Sequence, residues 1–237
     1  MKKTIVIDAG HGGNDTGNLG NNIVEKDYVL QISLYIAVRL EELGIPYFLT
    51  RIDDRNLSTD ERINLINTKF GTNNDLILIS NHLNKGNEKG LEIIYSLRNN
   101  SNLSKKIAEE VEGLGFSVNK YYQLRDNEDT SKDYYPLLRD TPNYETIMIE
   151  YGYVDNKDDV ASLKNNYQKY GEGVVKALAE YTGQKYVEPV DKICIVKQGD
   201  TLYKIATENK LSVEKLKKYN SLSSNILKIG QVLRIPT

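Results

Sequence analysis

The 237-residue sequence has little of several features that define whole classes of protein. It has no tryptophan and only two histidines. Its single cysteine, Cys194, excludes an internal disulfide. Cys194 lies in an apolar segment and is expected in a core. No apolar run approaches the ~18 residues that a membrane-spanning helix requires. With 39% hydrophobic and 27% charged residues, the composition predicts a soluble globular protein with one medium and one small domain.

The two histidines are informative because both follow short apolar segments that predict β-strands. His11 lies in a glycine-rich turn after segment 4–8, and His82 follows segment 76–80. Active-site groups of open α/β sheets gather at the carboxyl ends of strands. Glu25, which starts an amphipathic segment, would complete a group of two imidazoles and one carboxylate that can hold zinc and leave a fourth position for water. Taken singly, each residue has an ordinary interpretation, as a solvated loop histidine or a first-turn helix acid.

A third apolar segment, 146–150, ends in Glu150. A carboxylate at the end of a buried strand is costly to leave unpaired, because burial disfavours its charged form. Position alone therefore leaves three roles open for Glu150: metal ligand, ion-pair partner or catalytic base.

Together these segments resemble the zinc-dependent N-acetylmuramoyl-L-alanine amidases of the amidase_3 family, over roughly residues 1–183. The resemblance is carried by blocks that occur in the family's order: 5–13, Asp15, Gly17, Glu25, 80–84 and 147–153. It implies that His11, Glu25 and His82 bind Zn2+ and that Glu150 is the catalytic glutamate. It further implies hydrolysis of the amide between N-acetylmuramic acid and L-alanine by zinc-activated water.

Two further residues are expected to bind substrate. Asn84 closes the block around His82 and is a candidate for orienting the site, because metal ligands need hydrogen-bonded neighbours. Arg139 precedes the Glu150 strand at a position where the family often has a basic residue. A guanidinium group can bind a peptide carboxylate through two hydrogen bonds. A loop-capping amide and a surface salt bridge are the ordinary alternatives for these two side chains.

The first 183 residues alternate strand and helix patterns, which predicts an α/β fold with a mostly parallel sheet covered by helices on both faces. Predicted strands cover 4–8, 46–50, 75–80, 91–97 and 146–150. Predicted helices cover 25–43, 58–70, 103–114 and 160–182. The polar, tyrosine-rich segment 119–144 is interpreted as a strand pair or a loop near the site.

The end of the chain has a different charge balance. Residues 192–237 carry nine Lys or Arg and three Asp or Glu, a net charge of +6, whereas residues 1–191 carry −8. The segment between the two patterns, 184–191, contains Pro189 and is typical of a linker. We therefore predict a catalytic domain over 1–183 and a separate binding domain over 192–237.

The small domain is predicted to be a βααβ unit, with its strands at 193–196 and 229–236. It resembles a lysin motif (LysM) repeat, through segments 199–202, 205–206, 211–213, 230–231 and 233–236. The resemblance implies binding of the N-acetylglucosamine-containing glycan of peptidoglycan in a groove between two loops. The residues that it implies for glycan contact are Asp200, Thr201, Leu202, Asn225 and Ile226.

The sequence thus predicts a peptidoglycan hydrolase, an endolysin or autolysin, that is anchored to the wall by LysM. Its expected partners are muropeptide and glycan, with neither nucleic acid nor membrane insertion. A zinc-dependent wall peptidase and a non-catalytic glycan-binding protein are the alternatives. Residues 1–8 do not resemble a secretory signal, which favours a phage or prophage lysin that is made in the cytoplasm and acts on the bacterial cell wall.

Overall fold

The computed structural model describes residues 3–72 and 75–236. It divides into two compact units, Met1–Tyr186 and Val187–Thr237. The predicted domain limits begin and end outside the described residues at the two chain termini, and they remain a prediction. Within the described residues, no helix is both long enough and apolar enough to cross a membrane.

A six-stranded sheet forms the centre of the first unit. The strands of this unit are β1 (Thr4–Ala9), β2 (Leu19–Gly20), β3 (Ile23–Val24), β4 (Tyr47–Leu49), β5 (Leu76–Asn84), β6 (Leu91–Tyr95), β7 (Val118–Tyr122) and β8 (Glu145–Tyr153). Its helices are α1 (Glu25–Glu42), α2 (Thr59–Phe70), α3 (Asn102–Gly113), α4 (Pro136–Arg139) and α5 (Lys157–Tyr181). The large sheet has the order β4-β1-β5-β8-β6-β7, and its described pairs are parallel except for β6–β8. The predicted mostly parallel sheet is confirmed.

Apolar residues on both faces of the sheet pack against helices, as the nearly continuous apolar strands require. Along β1, Ile5 and Ile7 belong to a large core cluster that includes residues of α1, α3 and α5, whereas Val6 belongs to a second cluster. That second cluster also contains Ile66 of α2 and Leu137 of α4. Successive side chains of a strand point to opposite faces, so the two clusters lie on opposite sides of the sheet. The predicted fold class is confirmed.

Two strands run farther than the sequence suggests. β5 continues through His82 to Asn84, and β8 continues through Glu150 to Tyr153. His82 and Glu150 are paired neighbours in the parallel ladder between these strands. The expectations that His82 follows its strand and that Glu150 ends its strand are both wrong, because ladder hydrogen bonds use the backbone and continue where the side chains become polar.

The sequence patterns did not predict the short hairpin formed by β2 and β3. Asn21 and Asn22 make its turn with positive φ angles of 43° and 59°, a conformation that Asn adopts readily in two-residue hairpin turns. Because α1 begins directly after β3, the hairpin fixes the place of Glu25, the first residue of the helix. Segment 119–144, interpreted as a strand pair or a loop near the site, holds most of β7 and the short helix α4 with irregular structure between them, and it reaches the cavity at Tyr135.

The second unit contains β9 (Lys192–Ile195), α6 (Leu202–Glu208), α7 (Val213–Tyr219) and β10 (Val232–Ile235). The two strands pair antiparallel, and the predicted βααβ order is confirmed. A small core holds the unit together, formed by Val196, Leu202, Ile205, Ala206, Leu216, Leu233 and Ile235. Cys194 packs against this core but is half-buried, so it lies at the edge of the core and not inside it.

Candidate active site

The three candidate metal ligands lie together in the first unit. Glu25 stands between the two imidazoles, with its Oε1 3.0 Å from Nε2 of His11 and 3.0 Å from Nδ1 of His82. One ligand atom from each residue lies within 4.8 Å of the others. The topology explains the meeting, because β1 and β5 are adjacent parallel strands and the turn after β1 lies beside the end of β5.

The carboxylate of Glu25 is fully buried but well supplied with hydrogen bonds. Its Oε1 accepts from the backbone N–H of Leu83 at 2.9 Å, and its Oε2 accepts from that of Asn18 at 2.7 Å. Burial alone would raise the pKa of Glu25. Hydrogen bonds with His11 and His82 outweigh burial and hold the pKa well below its ordinary value. The side chain is therefore an anion at neutral pH.

The second nitrogen of each imidazole also has a partner. Nδ1 of His11 lies 2.9 Å from Oδ2 of Asp15, and Nε2 of His82 lies 3.1 Å from Oγ of Ser80. Such bonds fix the orientation of a ring before any ligand arrives. Both imidazoles are therefore held in place by the protein.

Two glycines provide the space for these rings. A Cβ atom on Gly10 would lie 2.2 Å from Cε1 of His82. A Cβ atom on Gly17 would lie 2.6 Å from Oε2 of Glu25 and 2.6 Å from Cδ2 of His11. Gly17 also has a positive φ of 62°, which glycine adopts without strain. The backbone thus forms a cradle around the group that larger residues would fill.

Two buried arginines hold the turn that carries His11. Arg62 donates to Oδ1 of Asp8 at 2.6 Å. It also donates to the carbonyls of Ala9 and His11, each at 2.6 Å. Arg51 donates to two carbonyls of the same turn, both at 2.8 Å. His11 has a positive φ of 58°, which is uncommon for a residue with a side chain, so these bonds stabilise a strained turn.

His11, Glu25 and His82 line a cavity of about 520 Å³ that Glu150 also lines. Glu150 is 6% exposed, and its Oε2 has no hydrogen-bond partner among the described residues. Burial raises the pKa of Glu150 to about 7. A carboxyl group that titrates near neutral pH is suited both to accept and to return a proton.

The two residues expected to bind substrate do not line this cavity. Asn84 lies at the end of β5, and its Oδ1 accepts a hydrogen bond from the backbone N–H of Lys85 at 2.8 Å. Arg139 ends α4, where its Nε lies 3.0 Å from Oδ1 of Asp140. These contacts match the ordinary alternatives, a capping amide and a surface salt bridge. The substrate-binding roles of the two residues remain predictions.

Sequence reasoning missed several residues of the cavity wall. Tyr135 lines the cavity beside Glu150, and Leu57, Leu137 and Met148 supply apolar surface. Leu137 and Met148 belong to apolar segments whose pattern is the same as that of ordinary core residues. Tyr135 had one signal, its place in the tyrosine-rich segment that was expected near the site.

In the second unit, the residues expected to contact glycan differ in their exposure to solvent. Asn225 and Ile226 are exposed, Ile226 by 81%. Thr201 caps α6, and Asp200 takes part in an ion pair. Leu202 is 2% exposed and belongs to the core. Leu202 therefore supports the fold, and its contact with glycan remains a prediction.

Comparison with known proteins identifies the family. Residues 5–180 match the family model Amidase_3, N-acetylmuramoyl-L-alanine amidase, and residues 194–236 match the LysM domain. The first match covers well over half of the chain. The chain therefore belongs to the Amidase_3 family of N-acetylmuramoyl-L-alanine amidases, and it carries a LysM domain. The identification from sequence as a peptidoglycan amidase with a LysM domain is confirmed.

Two relatives and one solved structure illustrate the similarity. The uncharacterized protein YqiI of Bacillus subtilis (strain 168) is 28% identical over 186 residues, which cover 77% of this chain and 86% of YqiI. The probable cell wall amidase LytH of Staphylococcus aureus is 27% identical over 170 residues, 70% of this chain and 53% of LytH, so the chain spans about half of LytH. The crystal structure of the N-acetylmuramoyl-L-alanine amidase from Clostridium difficile 630 is similar with a TM-score of 0.66 and 25% identity, covering 78% of this chain and 99% of that chain.

Proposed function

We propose that this protein is a zinc-dependent N-acetylmuramoyl-L-alanine amidase in which His11, Glu25 and His82 hold the metal. One observation carries the proposal: the His–Glu–His group lines the same cavity as a buried carboxyl group, Glu150, with an unpartnered oxygen. Two imidazoles and a carboxylate are a donor set of catalytic zinc sites. Ligand atoms bound to one tetrahedral zinc lie about 3.3 Å apart. Glu25 lies 3.0 Å from each imidazole, and the three ligand atoms all lie within 4.8 Å of one another.

The surroundings of the group also fit a bound metal. Gly10 and Gly17 keep side chains out of the space around the rings. Asp15 and Ser80 hold the second nitrogen of each imidazole, which is the usual arrangement around metal-binding histidines. When bound, zinc supplies a Lewis acid that lowers the pKa of water and polarises a carbonyl group.

Glu150 would move the proton in this reaction. Its carboxylate takes a proton from the attacking water as the water oxygen bonds to the carbonyl carbon. It then delivers that proton to the nitrogen of L-alanine as the carbon–nitrogen bond breaks. The burial of Glu150 keeps bulk water away from this exchange, and its Oε2 is not committed to a hydrogen bond within the described residues.

The substrate would be the amide between N-acetylmuramic acid and L-alanine, with the LysM domain binding the glycan of the same wall. Anchoring raises the local concentration of the catalytic unit at its insoluble substrate. Because the chain carries a single LysM match, this contribution should be modest. The origin as a phage or prophage lysin, made in the cytoplasm, stays a prediction.

Mass spectrometry of digested wall fragments tests the reaction. We expect free amino groups on L-alanine and intact sugar chains. New amino groups elsewhere in the stem peptide would instead identify a wall peptidase, and unchanged fragments would identify a non-catalytic glycan-binding protein.

Metal analysis tests the ligand set. The purified protein should hold one zinc per chain, and His82→Ala should lose tight binding, because a three-ligand site has no ligand to spare. Lys85→Ala is the matched control, since Lys85 is exposed, follows the end of β5 and lies outside the cavity. Wild-type zinc content in His82→Ala would show that His82 is not a ligand.

A further inference from the structure

Tyr135 is a cavity-lining residue that the proposed mechanism does not use. It is the N-cap residue of α4 and is followed by Pro136, whose ring fixes the backbone at the first helical position. Its carbonyl accepts the backbone N–H groups of Leu138 and Arg139, both at 3.0 Å. The next two side chains, Leu137 and Leu138, are buried at 4% and 1% exposure. Tyr135 is therefore held rigidly at the cavity wall.

The hydroxyl group of Tyr135 makes no hydrogen bond with any described residue. A buried or half-buried tyrosine hydroxyl usually has a partner. The other half-buried or buried side-chain donors of the cavity wall all have partners within the described residues; these are His11, Asn18, Arg62 and His82. Asn56 and Thr59, which also line the cavity, are exposed. Among the half-buried and buried donors of this wall that the structure describes, Tyr135 is thus the one that the fold leaves uncommitted.

The electrostatic surroundings keep this group a donor. Burial raises the pKa of the Tyr135 phenol, and the negative charges of Glu150 and Glu25 raise it further. The phenol therefore stays protonated at every pH at which the enzyme would work. Tyr135 lines the same cavity as Glu150, the proposed base, and Glu25 of the candidate metal group.

We propose that the Tyr135 hydroxyl donates a hydrogen bond to the carbonyl oxygen of the scissile amide as negative charge develops on it. The inference rests on the proposed amidase function and adds a catalytic residue to it. No proton leaves Tyr135 and no covalent bond forms to it; the hydroxyl stabilises charge. A neutral donor that is already positioned at the developing oxyanion stabilises the transition state more than it stabilises the bound substrate, and it therefore lowers the activation barrier.

The test compares Tyr135→Phe with the wild-type chain on a soluble muropeptide. The substitution removes the hydroxyl and keeps the ring. We expect kcat to fall about 100-fold, as for loss of one oxyanion donor, with KM within about twofold and unchanged zinc content. Affinity for a phosphinate analogue of the scissile amide should fall by a similar factor, because its anionic oxygen resembles the developing oxyanion.

Tyr134→Phe is the matched control. Tyr134 is the preceding residue, its ring contacts that of Tyr135 edge-on with centroids 5.1 Å apart, and it is 44% exposed and outside the cavity. It should keep wild-type kcat. Three results would overturn the inference alone: kcat of Tyr135→Phe within twofold of wild type, a rise in KM with unchanged kcat, or loss of zinc. An inactive, zinc-loaded wild type would reject the proposed function and this inference with it.

Discussion

The two parts of the cavity wall differ in how completely their polar atoms are satisfied. In the part that we propose holds the metal (the metal-holding part), both ring nitrogens of His11 and His82 and both oxygens of Glu25 have partners. In the part that we propose reacts with substrate (the reactive part), the buried Oε2 of Glu150 has no partner within the described residues. The hydroxyl of Tyr135, which is half-buried, makes no hydrogen bond with them either. The first part is organised before a ligand arrives. The second keeps hydrogen-bonding capacity for a substrate, at a cost in stability.

Glu150→Gln should have the largest effect on hydrolysis, and it should change the reactive part of the cavity without changing the metal-holding part. Glutamine keeps the shape of the side chain but cannot accept the proton, so hydrolysis should fall about 100- to 10,000-fold. Zinc content should be unchanged, because the metal-holding part makes its own hydrogen bonds. Rates of wall lysis and zinc content are measured on the same preparation.

Glu145→Gln is the matched control for that change. Glu145 begins the same strand, β8, and pairs with Lys3 outside the cavity. Its substitution should leave lysis within about twofold of wild type. If Glu150→Gln also stayed within a few-fold, Glu150 would be a structural residue.

Arg62→Gln breaks the support beneath the metal-holding part. It leaves the carboxylate of Asp8 buried without its ion pair, which should reduce the free energy of unfolding by about 3–5 kcal/mol. Zinc affinity should fall as well, because the carbonyl of His11 loses its donor. Urea unfolding in the presence of a chelator and zinc titration measure the two effects.

The pH dependence of this loss follows from the pKa of Asp8. Burial would raise that pKa, but Arg62 and hydrogen-bonding neighbours lower it below its ordinary value. Asp8 therefore contributes stability in the wild type above its unfolded pKa of about 4, and this contribution disappears as pH falls through the folded pKa. The difference between Arg62→Gln and wild type should be largest near neutral pH and shrink below about pH 4. A constant difference would mean that lost packing, and not charge, causes it.

Arg55→Gln is the control for the arginine substitution. Arg55 pairs with Asp53 at the surface, where its side chain is 55% exposed. Exposed ion pairs contribute little, so its removal should leave the urea midpoint close to that of wild type. A loss comparable to that of Arg62→Gln would count against the buried pair as the cause.

Removal of residues 187–237 should have the smallest effect on the chemistry, because both parts of the cavity lie in the first unit. Activity on intact walls should fall about tenfold through lost local concentration. Activity on soluble muropeptides should stay within about twofold. Equal loss on both substrates would show that the second unit supports the catalytic unit and would contradict the proposal of separate domains.

The metal-holding part could be predicted from sequence better than the reactive part. His11 and His82 are the two histidines of the chain, and each stands next to an apolar strand segment. Glu25 was recognisable by its place at the start of a helix pattern. For Glu150, position in the sequence was compatible with a metal ligand, an ion-pair partner or a catalytic base. Only the resemblance to a family indicated the catalytic role.

Arg62 and Tyr135 could not be predicted, because their partners are distant in sequence. Arg62 contacts His11 across 51 residues, and its own segment reads as an ordinary helix. The proposed role of Tyr135 depends on its hydroxyl having no hydrogen-bond partner in the fold. A sequence pattern cannot show which hydroxyl groups will lack a partner. The extension of β5 and β8 was missed for a related reason, since backbone pairing continues after hydropathy changes.

The place of β8 in the sheet has a consequence for synthesis on the ribosome. β8 is the last strand of the first unit in the chain, yet it lies between β5 and β6 in the sheet order. A growing chain therefore holds β4-β1-β5 and β6-β7 as separate halves until the joining strand emerges, and domains fold once their sequence is complete. Glu150 arrives on that strand. A nascent or prematurely ended chain carries all three candidate metal ligands without the complete sheet or the proposed catalytic glutamate, so we expect hydrolysis to begin only when the unit is whole.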